Sequence, residues 1–166
     1  MNNDLLIRTV QKSDLTDLEW NGNYLHFRNV FRDAYQSSQR GFSILWIAEI
    51  LNTGIIGQVF IQLKCARKEL ADGNKRAYLY SFRIKHEYQN QGIGSYMLQF
   101  IEKDLTKRGF KQLTLNVAKN NKKAQKLYFR HGYKVVAHEP GCWSYKDHQG
   151  ILQQVREPAW RMIKLL

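Results

Sequence analysis

The chain has 166 residues, a length that one domain accommodates, since domains cluster at about 100–150 residues. Hydrophobic residues make up 43%, enough for a sizeable core, which excludes a disordered chain. Lys and Arg number 26 against 14 Asp and Glu, a formal charge of +12 that favours anionic partners without choosing among them.

The opening MNNDLLIRTVQKSD lacks the basic and continuous apolar segments of a secretion signal. No apolar run approaches the ~20 residues that span a bilayer, so neither export nor membrane insertion is expected. Cys65 and Cys142 form no CxxC pair and no ligand cluster, and read as reduced thiols of a cytoplasmic protein. His26, His131 and His138 have no ligand-like neighbours in sequence, so no metal is expected.

In chain order, LLIRTV (5–10) reads as a strand, and Ser13 could cap a short helix over DLTDLEW. In YLHFRNVFRDAYQSSQRG, Leu25, Val30, Phe31 and Tyr35 fall on one helical face, with Gly41 as the stop. ILWIAEIL and IIGQVFIQL are β-rich and are joined through Asn52 to Gly54, a hairpin signal. After the polar RKELADGNK comes a third strand, 77–85. From Ile93, apolar residues recur at Met97, Ile101 and Leu105 with helical spacing, and Gly109 ends that helix. QLTLNVA (112–118) alternates as a strand. Asn120 or Asn121 then caps a helix that Gly132 terminates. YKVVAHE and AWRMIKLL are the last strands, separated by a polar and aromatic loop. The order is an early strand cluster followed by β-α-β-α-β, hence a mixed α/β or α+β single domain.

Strand, glycine turn, helix start is an anion-binding arrangement. The first N–H groups of a helix lack intrahelical acceptors, and the helix dipole adds positive charge there. Gly92 and Gly94 remove the Cβ atoms that would hold a phosphate away. The turn at Asn90 to Ser95 is therefore a candidate phosphate cradle, against the plainer reading of a tight strand-to-helix turn. A dinucleotide fingerprint wants a third glycine where Met97 stands, and no GK[ST] follows for a Walker loop.

QNQGIG together with LNVAKNNKKAQKLYFRHGYKVV resembles the GNAT superfamily of acyl-CoA-dependent N-acetyltransferases. Gln89, Gly92 and Gly94 match its motif A, [Q/R]xxGx[G/A]. Asn121, Ala124, Leu127, Tyr128, Gly132 and Tyr133 match motif B. The resemblance covers most of the chain and is weakest over residues 11–40 and 138–158. It implies one domain over 1–166, with a mostly antiparallel sheet, splayed central parallel strands and about four flanking helices. It implies acetyl-CoA as co-substrate, held between strands 77–85 and 112–118. The main chain of Phe82, Arg83 and Ile84 would bind the pantetheine arm. Gln89 stands in the motif, and Asn90, Gln91, Gly92, Ile93, Gly94 and Ser95 would grip the diphosphate. Asn121 would touch the cofactor through its side chain, or serve only as a helix cap.

The resemblance places Tyr128 as the general acid that protonates the leaving thiolate, since a phenol near pKa 10 can donate to a thiol near 8.5. The alternative is a core aromatic. The strand glutamate that many relatives use as base is missing: Tyr78 and Asn116 occupy the comparable places. Water near Tyr80 or Ser81, or Glu49, Asp147 or His148, are the substitutes. The acceptor walls are expected from 18–31 and 139–158, the second carrying Trp143 and Tyr145. Lys119, Lys122, Lys123 and Lys126 would screen a ribose phosphate or simply form a solvated face. The expected function is acetyl transfer to a primary amine, of a small molecule or a protein, with the charge favouring an anionic acceptor. A coenzyme A-binding regulatory module without turnover is the alternative; a nucleic-acid binder has only the charge behind it and ranks last. Relatives often pair, so a homodimer is a further expectation.

Overall fold

The computed structural model describes residues 4–166. Seven strands form one sheet in the order β1-β2-β3-β4-β5-β9-β6. They are β1 (Leu5–Thr9), β2 (Ser43–Ile50), β3 (Gly54–Gln62), β4 (Arg76–Ile84), β5 (Gln112–Ala118), β6 (Lys134–Glu139) and β9 (Ala159–Leu165). All neighbours are antiparallel except β4 and β5. The helices are α1 (Arg28–Gln39), α2 (Ile93–Lys107) and α3 (Lys122–Arg130), with several one-turn 3-10 helices.

The sheet is covered on both faces, which explains why β2 and β3 are nearly continuous apolar runs rather than alternating ones. On β2, Ile44, Trp46 and Ala48 join the core with Met97, Leu98, Ile101 and Leu105 of α2. Leu45 and Ile47 point the other way, to Phe31 and Ala34 of α1. Each fully buried Leu, Ile, Phe or Met among them contributes about 1.5–3 kcal/mol relative to exposure.

Two expectations are corrected. The helix capped by Ser13 is instead a pair of 3-10 turns, Lys12–Asp14 and Asp17–Glu19. The Asp14 carboxylate accepts from the Gln11 N–H and from Arg8, both at 2.7 Å, which fixes a tight turn at the strand end. Left-handed backbone at Trp20, Asn21 and Gly22 then stops any continuation. The loop expected between the last two strands holds a two-stranded hairpin, β7 (Cys142–Lys146) and β8 (Leu152–Arg156). Asp147 closes its turn by accepting the N–H groups of Gln149 and Ile151.

The feature that positions the site is where β4 and β5 part. Their parallel register runs from Arg76↔Gln112 to Leu79↔Leu115 and goes no further. Beyond it, β4 carries an extra residue opposite β3, between the Gln58↔Arg83 and Phe60↔Tyr80 pairs. Ser81 adopts φ +51 there, and buried Gln58 holds the bulge by donating to the Ser81 hydroxyl at 2.8 Å. A bulge re-aims the side chains after it and bends the strand away from its neighbour. The sheet opens into a V with Tyr80 and Asn116 just past its apex.

Candidate functional site

Two cavities flank the outer arm of the V. One, of about 420 Å³, lies on the α2 and α3 side. It gathers Phe82, Ile84, Gln89, Asn90, Gly92, Gly94, Ser95, Asn121 and Tyr128, nine of the residues expected around the cofactor. Gln91 and Ile93 belong to the same turn, but their side chains turn elsewhere: Gln91 donates to the Glu87 carbonyl, and Ile93 is in the core. The Arg83 side chain lies on the opposite face, lining the second cavity.

The turn into α2 leaves main-chain donors free at the start of a helix. Asn90 (φ +60) and Gly92 (φ +81, the N-cap) are left-handed, a conformation that glycine adopts freely. The main-chain N–H groups of residues 90–95 have no hydrogen-bond partner among the described residues; the first intrahelical bond is Tyr96 N–H to Gly92. Gln89 fixes the turn by donating to the Ile84 carbonyl at 2.9 Å and accepting from Lys123 at 2.7 Å. A Cβ at Gly94 would lie 3.3 Å from Ile84 Cδ1 and 3.6 Å from Leu127 Cδ2, so glycine lets α2 start against β4 and α3. Of the four lysines, Lys123 and Lys126 line this cavity, whereas Lys119 sits 4.0 Å over the Trp160 ring.

Asn121 caps α3, its side-chain oxygen accepting the Ala124 N–H at 3.1 Å. Asn121→Ala is expected to lower stability by about 1 kcal/mol, read as an earlier denaturant midpoint, with Asn121→Ser restoring it. Tyr128 is 6% exposed, and its hydroxyl makes no hydrogen bond to the described residues. Burial pushes its phenol well above the usual tyrosine range, and nearby Tyr78 adds to this. The group stays protonated through the neutral range.

The second cavity, about 590 Å³, lies across β4. Both expected walls contribute: Tyr24, Phe27, Val30 and Phe31 from one, Glu139 to Trp143 and Glu157 from the other. Trp143 and Tyr145 of the hairpin pack against Phe27, at ring separations of 6.2 and 4.9 Å. Tyr78 and Asn116 stand at its floor beside the apex. Burial pushes the Tyr78 phenol up to about 12, with the Glu139 charge adding to it. The Asn116 side-chain oxygen is buried without a partner.

Of the substitutes for the base, Tyr80 and Ser81 line the second cavity, whereas Glu49, Asp147 and His148 do not. Glu49 accepts from Arg8 at 2.7 Å on the far strands. The Asp147 carboxyl is held below the usual range by Gln153 and by the turn N–H groups, and it, like His148, lies outside both cavities. Sequence reasoning missed Glu139, which is buried and paired with Arg67 at 2.7 Å and Arg161 at 3.3 Å. It also missed Gln58, whose signal was a lone polar residue inside the apolar run IIGQVFI. Among the described residues, no group of three or more His, Cys, Asp or Glu could hold a metal.

The family model described as Acetyltransferase (GNAT) family matches residues 11–133. A curated relative, GCN5-related N-acetyltransferase 6, chloroplastic, of Arabidopsis thaliana, is 32% identical over 93 residues, which is 56% of this chain. The match spans about a third of that relative's length, 31%. Among solved structures, the ribosomal-protein-S18-alanine N-acetyltransferase of Escherichia coli superposes with a TM-score of 0.70 at 19% identity, covering 97% of this chain and 93% of its own. A GNAT family acetyltransferase from Elizabethkingia anophelis with acetyl-CoA bound also gives 0.70, at 14% identity, covering 99% and 100%. These two likenesses are of fold. The family match spans most of the chain, including the named residues of both motifs, and the chain therefore belongs to the GNAT family of acetyltransferases.

Proposed function

We propose that the protein transfers the acetyl group of acetyl-CoA to a primary amine, the two reactants meeting at the apex of the V. The observation that carries this reading is the row of unpartnered N–H groups at residues 90–95, opening onto a cavity that Tyr128 also lines. Acetyl-CoA supplies a thioester whose carbonyl carbon an amine attacks, the C–N bond forming as the C–S bond breaks. The residues fit that molecule: the turn N–H groups suit its diphosphate, and the absent Cβ atoms leave them room. The outer edge of β4 at Phe82, Arg83 and Ile84, released from β5, offers main-chain groups to the pantetheine arm. Asn121 keeps its side-chain NH2 for the cofactor while its oxygen caps α3.

Tyr128 delivers its proton to the departing sulfur and regains one from water. Asn116, in the place of a strand carboxylate, can accept an N–H hydrogen bond but cannot take the proton, which passes to water. The acceptor must therefore arrive as the neutral amine. Holding both reactants in one complex supplies much of the rate through orientation. The unpaired Cys65 and Cys142 fit a reducing, cytoplasmic setting.

Incubation of the purified chain with acetyl-CoA and an amine panel tests this. Thiol release matched by N-acetylated product is the expected result. Tight coenzyme A binding with no transfer to any amine would replace the reading by the regulatory module, which the missing strand carboxylate favours.

A further inference from the structure

The acceptor cavity contains a cation without a counter-ion. Arg83 reaches it from β4, past the bulge. Its guanidinium carbon lies 3.4 Å from the centre of the Tyr24 ring, with Trp20 and Phe31 rings at 5.1 and 5.4 Å. One hydrogen bond is made, from Nη2 to the Gln58 side-chain oxygen at 2.7 Å. Nε and Nη1 are buried with no partner. Among the described residues, no carboxylate pairs with Arg83. The other arginine lining the cavity is matched: Arg67 is shared between Glu69 and Glu139. Glu157, at the rim, is exposed.

A buried charge is ordinarily paired, because desolvation is expensive unless a partner and hydrogen bonds replace water. Burial lowers the Arg83 pKa to about 10, the neighbouring Tyr24 hydroxyl opposing it in part, which still leaves it charged at neutral pH. Stacking on aromatic faces offsets part of this penalty but leaves the in-plane N–H donors unfilled. A planar carboxylate matches the guanidinium edge. A single cation ringed by Tyr24, Phe31 and Trp20 suits one negative charge better than the double charge of a phosphate.

We propose that the acceptor is an amine that also bears a carboxylate, and that this carboxylate binds the Arg83 guanidinium while the amine reaches the apex beside Asn116. The inference rests on the transfer reading above and narrows its acceptor to amino-acid-like molecules. Nε and Nη1 are covered, so binding requires side chains packed around Arg83 to change rotamer, a shift of the kind common at binding sites.

The test is a binding comparison that needs no turnover. A set of N-acetyl amino acids, from glycine to tryptophan, is titrated into the protein with coenzyme A present, each against its own N-acetyl amide. Neither member of a pair carries a titrating amine, so the difference reads the carboxylate alone. The acids are expected to bind at least about 10-fold tighter than their amides for the side chains the cavity accepts. Arg83→Gln is expected to erase that ratio, and Arg83→Lys to keep part of it. In the unaltered protein, the Arg83 Nε–H resonance should move with acids and stay with amides, so the test survives variants that fail to fold. No preference in any pair, or a preference that persists in Arg83→Gln, would overturn the inference. Absence of transfer to every amine would sink the proposed reaction and still leave the carboxylate preference readable.

Discussion

Replacing Tyr128 with phenylalanine is expected to lower kcat by about 10²-fold while leaving KM for acetyl-CoA within about twofold. In the proposed reaction the phenol touches only the departing sulfur. Its hydroxyl has no partner among the described residues, so nothing in the ground state is lost with it. Folding should register the change weakly, with Tm moving by about 2 °C or less, because no buried donor or acceptor is orphaned. Tyr133 is the contrast. It is 1% exposed and donates to Glu102 at 2.9 Å, and Glu102 also accepts from Lys164 at 2.7 Å. Tyr133→Phe should therefore lower stability and spare kcat.

The pH dependence follows from the same geometry. Burial raises the Tyr128 phenol above its ordinary value near 10, so the proton donor is present throughout the alkaline range up to about pH 10. No descending limb is expected below that. The ascending limb belongs to the acceptor: kcat/KM should rise tenfold per pH unit until the amine's own pKa, since neither β4 nor β5 carries a carboxylate at the apex. Equal rates for wild type and Tyr128→Phe would remove the phenol from the reaction.

The second large effect concerns the start of α2. Gly94→Val is expected to weaken coenzyme A binding by about 10- to 100-fold. A Cβ there already stands 3.3 Å from Ile84 Cδ1, and two further methyls would drive the helix start off β4 and α3. The N–H groups that the first turn presents would move with it. Overpacking of this kind lowers stability by about 1–3 kcal/mol, so the binding loss is read under conditions where the variant is folded. Gly92→Ala tests backbone instead of space. Its Cβ meets nothing within 4 Å, but φ is +81, and a left-handed alanine costs roughly 1–2 kcal/mol. Unchanged coenzyme A affinity in Gly94→Val would mean that the turn does not hold the cofactor.

Much of this was legible because local chemistry and global fold agree at the motifs. The run from Gln89 through Gly94 announces a turn that only glycine and asparagine adopt easily, and the structure gives Asn90 and Gly92 positive φ. β5 spans the same residues, 112–118, that alternation predicts. What escaped depends on distant contacts. The 140–158 segment reads as a loop because Asp147, His148, Gln149 and Gly150 interrupt it; yet those residues form the turn of a hairpin whose Trp143 and Tyr145 pack on Phe27. The alternation in CWSYK and LQQVR was the available signal. The turns at 12–19 depend on Arg8 reaching Asp14, a side-chain contact that no periodicity encodes. Glu139 was hidden for a similar reason, since its arginine partners, Arg67 and Arg161, come from two other parts of the chain. Arg83 was expected to act through its backbone; past the bulge at Ser81 its side chain enters the second cavity.

The proposed activity depends on free amides at residues 90–95 binding a diphosphate. Backbone amide resonances of isotope-labelled protein, followed while coenzyme A is added, test it most directly. The signals of residues 90–95 are expected to move furthest on binding, and acetyl-pantetheine, which lacks the diphosphate, to leave them in place. Coenzyme A binding that shifts other amides and not these would contradict it.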